Sequence, residues 1–357
     1  MENEIKLPKS LSYIGSKMKL VDWIKDCIET YINKKINEIV SFADLFSGTG
    51  IVAYYMMQKG IKYITSNDIQ HYSYVISSVW TQRDIDMVKI KNLLQEFNDI
   101  KIDTKDTSQC FIYNTYSPAS NPSRMYFTKD NALKIDIIRQ NIEQRKNELS
   151  IQEYNMLIKI LLYASTKVGN ISSTWGAYLK TFKKTALDKI ILDSNMLDLL
   201  LINNDINHTV YNKDIIHLLN ENNFNNYDIV YIDSPYNNRQ YSSNYFVLEA
   251  ISKYNNPEIK NGITGLLKET NEGSKIFCSK VNAKRSFENI LSKIKSKFIF
   301  ISYSSDSIVS KDDMIKILEL NWTNIICYTK EYKRFKSNKL GDQDATIEEY
   351  LFAATLK

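Results

Sequence analysis

The spacing of apolar positions along this chain changes twice, and each change marks a different kind of structure. An apolar run at 39–46 predicts a buried strand, and 50–59 then has the period of a helix. Residues 61–66 predict a second strand and 71–80 a second helix. Strand–helix–strand segments of this length imply a parallel sheet with a right-handed crossover. From about Asp84 to Asn204 the helical period dominates, with helices expected over 131–149, 151–168 and 188–202. A turn-rich stretch, Ser117-Pro-Ala-Ser-Asn-Pro-Ser123, lies ahead of them. The alternating pattern resumes at 208–213, 228–233, 297–303, 324–329 and 348–355. The last strands should form an antiparallel edge around a loop rich in Lys and Arg. The pattern therefore predicts an α/β domain built from 1–83 and 206–357, interrupted by a mainly helical insert over 84–205.

The strand at 228–232 runs into Asp233-Ser234-Pro235-Tyr236. An acid, a rigid turn and an aromatic ring at a strand tip suit a flat heteroaromatic amine. The acid accepts a hydrogen bond from an amino group while the ring stacks on the heterocycle. Read alone, the same four residues also describe an ordinary strand end.

Composition narrows the class. Apolar content of 43% and charged content of 24% fit a globular protein, and 357 residues allow one or two domains. No apolar run is long enough to span a bilayer and Met1-Glu-Asn-Glu4 has no signal-peptide character, so a cytoplasmic protein is expected. The net charge of +5 permits nucleic-acid binding through local patches. The four cysteines are dispersed and there are three histidines, so neither a zinc site nor a disulfide framework is expected.

A second constellation precedes the strand tip. Asp44-Leu-Phe46-Ser-Gly48-Thr-Gly50 sits where a strand passes into a helix, a place where glycines let the backbone approach a ligand. The next strand ends in Asn67-Asp68, and an acid about 20 residues past such glycines is placed for ribose hydroxyls. The third glycine of a dinucleotide fingerprint is missing, which favours an adenosine-containing ligand without a pyrophosphate. Upstream, Tyr13-Ile-Gly15-Ser-Lys17 offers an ammonium to a carboxylate.

In this order, these stretches resemble the Dam-like, alpha-group N6-adenine DNA methyltransferases of restriction–modification systems. The run Pro235-Tyr236-Asn237-Asn238-Arg239-Gln240-Tyr241 is similar to one in that family, as are Tyr126-Phe-Thr, Gly176-Ala-Tyr-Leu-Lys180 and Glu349-Tyr-Leu. Ser234 departs from the family, which usually has proline there. The family uses the backbone carbonyl at that position, which serine retains. The resemblance implies a Rossmann-like, S-adenosylmethionine-dependent methyltransferase sheet with the helical insert as target-recognition domain. It implies methyl transfer to N6 of a flipped adenine in duplex DNA, direct and in line. Asp233 and the Ser234 carbonyl would hold the amine, Pro235 would shape the turn and Tyr236 would stack on the base. For the cofactor it implies Tyr13, Lys17, Asp44, Phe46, Gly48, Gly50, Asp68 and Asp214, with Lys17 at the methionine end and Asp214 at the adenine edge. A cognate restriction endonuclease and a monomeric enzyme are further expectations.

Basic residues in three places are candidates for DNA phosphates. They are Arg239 beside the strand tip, then Lys280, Lys284 and Arg285, then Lys333, Arg334 and Lys336. Within the insert, Asn121, Arg124 and Lys180 are candidate base readers. Cytosine-C5 chemistry is disfavoured because it needs a Cys after Pro, and no Pro-Cys occurs. The competing readings are an rRNA adenine methyltransferase, a cytosine-N4 methyltransferase, a silent DNA-binding subunit with this fold, and a dinucleotide oxidoreductase.

Overall fold

The computed structural model describes residues 15–102, 106–120, 124–202, 205–222, 224–235, 241–268, 276–279, 281–333 and 346–357. Seven strands form one sheet: β1 Ser41–Asp44, β2 Tyr63–Asn67, β3 Asn207–Tyr211, β4 Ile229–Ile232, β5 Phe298–Ser304, β6 Trp322–Lys333 and β7 Thr346–Leu356. The helices are α1 Val21–Ile32, α2 Ile51–Gln58, α3 His71–Ser77, α4 Met87–Asp99, α5 Phe111–Tyr116, α6 Lys129–Gln144, α7 Ile151–Val168, α8 Lys184–Leu187, α9 Ile215–Glu221, α10 Tyr241–Lys253, α11 Ala283–Lys293 and α12 Lys311–Leu318. Among the described residues no helix is long and apolar enough to cross a membrane.

The strand order is β3-β2-β1-β4-β5-β7-β6, with β1 to β5 parallel and β7 antiparallel to both of its neighbours. This is the expected α/β, Rossmann-like sheet with an antiparallel edge. Its strands are covered on both faces, so β4 reads Ile-Val-Tyr-Ile with every residue buried. One face packs Ala43, Val230, Ile232, Ile299 and Ile301 beneath α9, α11 and α12. On the other face Tyr31 of α1 stands edge-on to Phe298 and Phe300, with ring centroids 6.1 and 5.6 Å away. Beside it Phe42 stacks on Tyr231 at 6.0 Å.

Paired residues in neighbouring strands point to one side of a sheet. The register therefore places Asp44 beside Tyr231 on this second face, and further along the same face Ser302, Ser304 and Glu349. Apolar packing thus gives way to polar groups at the carboxyl ends of β1, β4 and β5, the edge where open α/β sheets bind ligands.

The chain divides into two compact units. One holds the sheet and comprises 14–69, 205–241 and 271–357; the other is helical and takes in 70–204 and 242–270. The helical unit is larger than the expected 84–205 insert, because α3 and α10 are bound into it. Glu249 on α10 accepts hydrogen bonds from the backbone N–H groups of His71 and Tyr72, both at 3.1 Å, and so caps α3. The buried Arg139 of α6 likewise donates to the carbonyls of Ile251 and Ser252 at 3.2 and 3.3 Å.

One local expectation is corrected. The helix expected over 188–202 is replaced by an irregular segment and a single 3-10 stretch, Ser194–Leu199. Ile190, Ile191 and Leu192 alternate between buried, exposed and buried, at 5%, 62% and 3% exposure. Side chains of the preceding helices satisfy the backbone: Ile190 N–H donates to Asn131 Oδ1 and Leu192 N–H to Asn98 Oδ1. Of the phosphate candidates, Lys284 and Arg285 lie in the first turn of α11, which begins at Ala283. There Ala283, Ser286, Phe287, Ile290 and Leu291 form a helical stripe facing the core.

Candidate active site

The turn from β1 into α2 requires glycine. Gly48 and Gly50 have φ of 52° and 74°, left-handed conformations that cost a residue with a Cβ about 1–2 kcal/mol. Two bonds from the end of β2 hold the turn: Ser47 N–H donates to Asn67 O and Gly48 N–H donates to Asp68 Oδ2, both at 2.9 Å.

Asn67, 2% exposed, ties three strand ends together. Its Nδ2 donates to the carbonyls of Leu45 and Lys213, and its Oδ1 accepts from Lys213 N–H, each at 3.2 Å. Asp68 is fixed in turn, its carbonyl accepting from Asn212 Nδ2 at 2.8 Å.

Lys17 opens a short 3-10 turn after Gly15, whose φ is 80°. It is 3% exposed and its Nζ lies 2.9 Å from Asp233 Oδ1. The ammonium expected at a methionine carboxylate therefore pairs with the acid at the tip of β4. Burial raises the Asp233 carboxyl above the ordinary range, and the charge and hydrogen bond of Lys17 oppose that rise. Asp44, 1% exposed, is pushed well above its ordinary value by burial and then by the charge of Asp233. Glu349 is pushed up by burial, with Lys17 opposing and Asp233 adding to the rise. Tyr231 is pushed up by burial and by Asp233, beside the Ser302 hydroxyl. One buried lysine thus lies near the buried Asp44 and Glu349 and the part-buried Asp233.

Among the described residues several buried polar atoms here have no hydrogen-bond partner: Asp44 Oδ1, Ser47 Oγ, Ser234 Oγ and Glu349 Oε2. Buried polar atoms are normally satisfied, so a group of orphans beside a turn stripped of Cβ atoms fits a polar ligand. The chemistry of the set suits S-adenosylmethionine, with a glycine turn for close backbone approach and carboxylates for hydroxyl or amino groups. Among the described residues at this edge, Lys17 alone supplies a buried cation, where a phosphate ligand would call for several.

The structure thus gathers Lys17, Asp44, Gly48, Gly50, Asp68, Asp233 and Ser234 at one end of the sheet. Phe46 packs edge-on against Phe277 at 5.3 Å. Asp214 caps α9, its Oδ1 accepting from Ile216 N–H at 2.8 Å. Pro235 follows Ser234 at the tip of β4, while Tyr13, Tyr236, Arg239, Lys280, Arg334, Lys336 and Asn121 lie outside the described residues, as does the side chain of Lys333. Lys284 is paired with Asp313 of α12 at 2.6 Å, and Arg285 is exposed on α11. Arg124 is buried and donates to the carbonyls of Ile263 and Gly262 at 3.1 and 3.0 Å, so it braces a loop and is turned away from a reading role. Lys180 is exposed.

Asn67 and Glu349 were visible in the sequence as members of motifs, without roles of their own. The available signal for Glu349 was a charge beside the otherwise apolar run Tyr350-Leu-Phe-Ala-Ala354.

Residues 13–317 match the family of D12 class N6 adenine-specific DNA methyltransferases. The chain is 39% identical over 343 residues to the type II methyltransferase M.CviAII of Paramecium bursaria Chlorella virus 1, spanning 96% of this chain and 97% of that protein. It is 34% identical to the type II methyltransferase M.NlaIII of Neisseria lactamica, spanning 94% and 95%. Its match to the type II methyltransferase M.FokI of Planomicrobium okeanokoites, also 34% identical, spans 96% of this chain and 52% of that protein. A sheet whose carboxyl edge brings together a glycine turn, Asp68 and an Asp-Ser-Pro tip agrees with these matches, and the chain belongs to the D12 class of N6 adenine-specific DNA methyltransferases.

Proposed function

We propose that the tip of β4 performs the site-specific methylation of adenine N6 in DNA, with Asp233 and the Ser234 carbonyl as the two acceptors for the amine hydrogens. The observation that supports this most is the pairing of buried Lys17 with part-buried Asp233, 2.9 Å apart at the sheet edge that carries the glycine turn. An ionised acid accepts best from an amine, and burial favours the neutral form of Asp233. The adjacent ammonium opposes that protonation.

S-adenosylmethionine supplies an already activated methyl group. The residues of this chain therefore have to position the nucleophile rather than generate it. Two acceptors on the amine pull its nitrogen away from conjugation with the ring and direct its lone pair. Pro235 restricts the turn so that the Ser234 carbonyl stays aimed. Tyr236 stacks on the extruded base and offsets part of the few kcal/mol that flipping costs, at ~1–3 kcal/mol per stacked base. Gly48, Gly50 and Asp68 form the cofactor cradle, with Asp68 and Asp214 toward the nucleoside. Arg239, Lys333, Arg334 and Lys336 bind phosphate, and the helical unit reads the target site. The enzyme acts as a monomer in the cytoplasm, paired with a cognate restriction endonuclease.

Asp233→Ala tests the assignment. Transfer to DNA should fall by at least ~100-fold while the cofactor dissociation constant, measured by calorimetry, stays within about threefold. Loss of cofactor binding with transfer reduced in proportion would place Asp233 in the cofactor cradle instead.

A further inference from the structure

We infer that, given the role proposed for Asp233 and Tyr236, Gly176 is a positioning residue for methyl transfer: the loop around it holds the first turn of α10, the turn that follows the catalytic tip in the chain.

The helix α10 is broken near its start. Tyr245 has φ −135° and ψ 16°, outside the helical range, although residues 241–253 contain neither proline nor glycine. One cause of such a break is a group from outside that enters the helix's hydrogen-bond ladder. Here Trp175 N–H donates to Asn244 O at 2.9 Å, one residue before the break. A Cβ on Gly176 would lie 3.2 Å from Asn244 Oδ1 and 3.5 Å from Ser243 O, so the absence of a side chain lets the two backbones approach.

The loop that makes this contact is itself fixed. Asn170 is fully buried; its Nδ2 donates to the carbonyls of Met125 and Leu179, each at 2.9 Å, and its Oδ1 accepts from Lys183 N–H at 3.0 Å. Trp175 is buried with its ring 5.4 Å from Phe127 and 6.3 Å from Tyr126. A Cβ on Gly169 would lie 2.7 Å from the same indole. An asparagine clasp and packed rings thus make residues 171–183 a fixed post, and the post and the broken turn both belong to the helical unit.

The consequence for the chemistry runs along the chain. Five residues, 236–240, join Pro235 at the tip of β4 to Tyr241 at the start of α10. The sheet fixes this stretch on one side and the held turn fixes it on the other, so a displacement at Asn244 is passed toward Tyr236. A misplacement of about 1 Å can cost ~100-fold in rate, so a retreat by a few tenths of an ångström should cost several-fold.

Single-turnover methylation of duplex DNA by Gly176→Ala, Asn244→Ala and the double variant tests this. Gly176→Ala should slow transfer by ~3-fold to 10-fold, with the dissociation constants for cofactor and DNA within about twofold of the wild type. Asn244→Ala keeps the carbonyl and removes the Oδ1 atom that the new methyl would meet. Alone it should transfer within about twofold of the wild-type rate, and added to Gly176→Ala it should restore that rate within about twofold. Wild-type transfer by Gly176→Ala, or slow transfer that Asn244→Ala does not rescue, would overturn the role of Gly176. A rise in the DNA dissociation constant that matches the loss of rate would overturn it too, making the loop a DNA contact. Each of these results leaves the Asp233 assignment standing. If Asp233→Ala still transfers, the assignment of the tip itself fails.

Discussion

Replacing Asn67 with alanine should loosen the cofactor cradle more than its distance from the chemistry suggests. The side chain makes three hydrogen bonds at 3.2 Å, two donated to Leu45 O and Lys213 O and one accepted from Lys213 N–H. The bond to Leu45 O is buried, and its loss leaves an unsatisfied carbonyl at ~1–3 kcal/mol, while the two part-buried bonds contribute ~0.5–1.5 kcal/mol each. Together these come to about 2–6 kcal/mol of folding stability, readable as a shift in the urea midpoint. The effect should also be local. Asn67 O accepts from Ser47 N–H, and Asp68, the next residue, holds Gly48 N–H. Movement here displaces the glycine turn, and the cofactor dissociation constant should rise by at least ~10-fold, or about 1.4 kcal/mol. Asn67→Asp should do no better, because it keeps the acceptor for Lys213 N–H but replaces Nδ2 with an oxygen that faces the carbonyls of Leu45 and Lys213. A loss of stability below about 1 kcal/mol with unchanged cofactor affinity would refute the reasoning.

Other predictions follow from the same site. Methyl transfer needs ionised Asp233, so the rate should fall as pH drops through its folded pKa, which burial raises above the ordinary 3.8. Lys17 opposes that rise, so Lys17→Met should move the acid limb of the single-turnover profile to higher pH, by about one unit or more; an unmoved limb would mean that Lys17 does not act through Asp233. Gly48→Ala, at φ 52°, should lose about 1–2 kcal/mol of stability and weaken cofactor binding, as followed by urea melts and calorimetry. Reversing charge at Arg334 and Lys336 should reduce the slope of log DNA affinity against log salt by ~0.9 for each phosphate no longer neutralised, and an unchanged slope would remove both from the interface.

The sheet was legible because its signals are local. Short runs of apolar residues, a glycine turn after β1 and an acid at the end of β2 all lie within short windows, and the structure has them where the pattern put them. Asn67 was not legible as a clasp, since two of its three bonds go to Lys213, 146 residues away. Glu349 stood in a resemblance without a role, because its meaning depends on β7 entering the sheet between β5 and β6. The misread segment failed for the same reason. At 188–202 the chain has enough apolar residues for a helix, but Asn98 and Asn131 take up backbone N–H groups there. The bounds of the helical unit depended on Glu249, whose capping of α3 spans 178 residues.

The central claim is the site of methyl transfer, and isotope labelling addresses it directly. The protein should be incubated with S-adenosylmethionine labelled in the methyl group and with duplex DNA or ribosomal RNA, and the products digested to nucleosides. The account predicts label in N6-methyladenine of DNA, lost in Asp233→Ala. Label in N4-methylcytosine, or in adenosine of RNA alone, would contradict it.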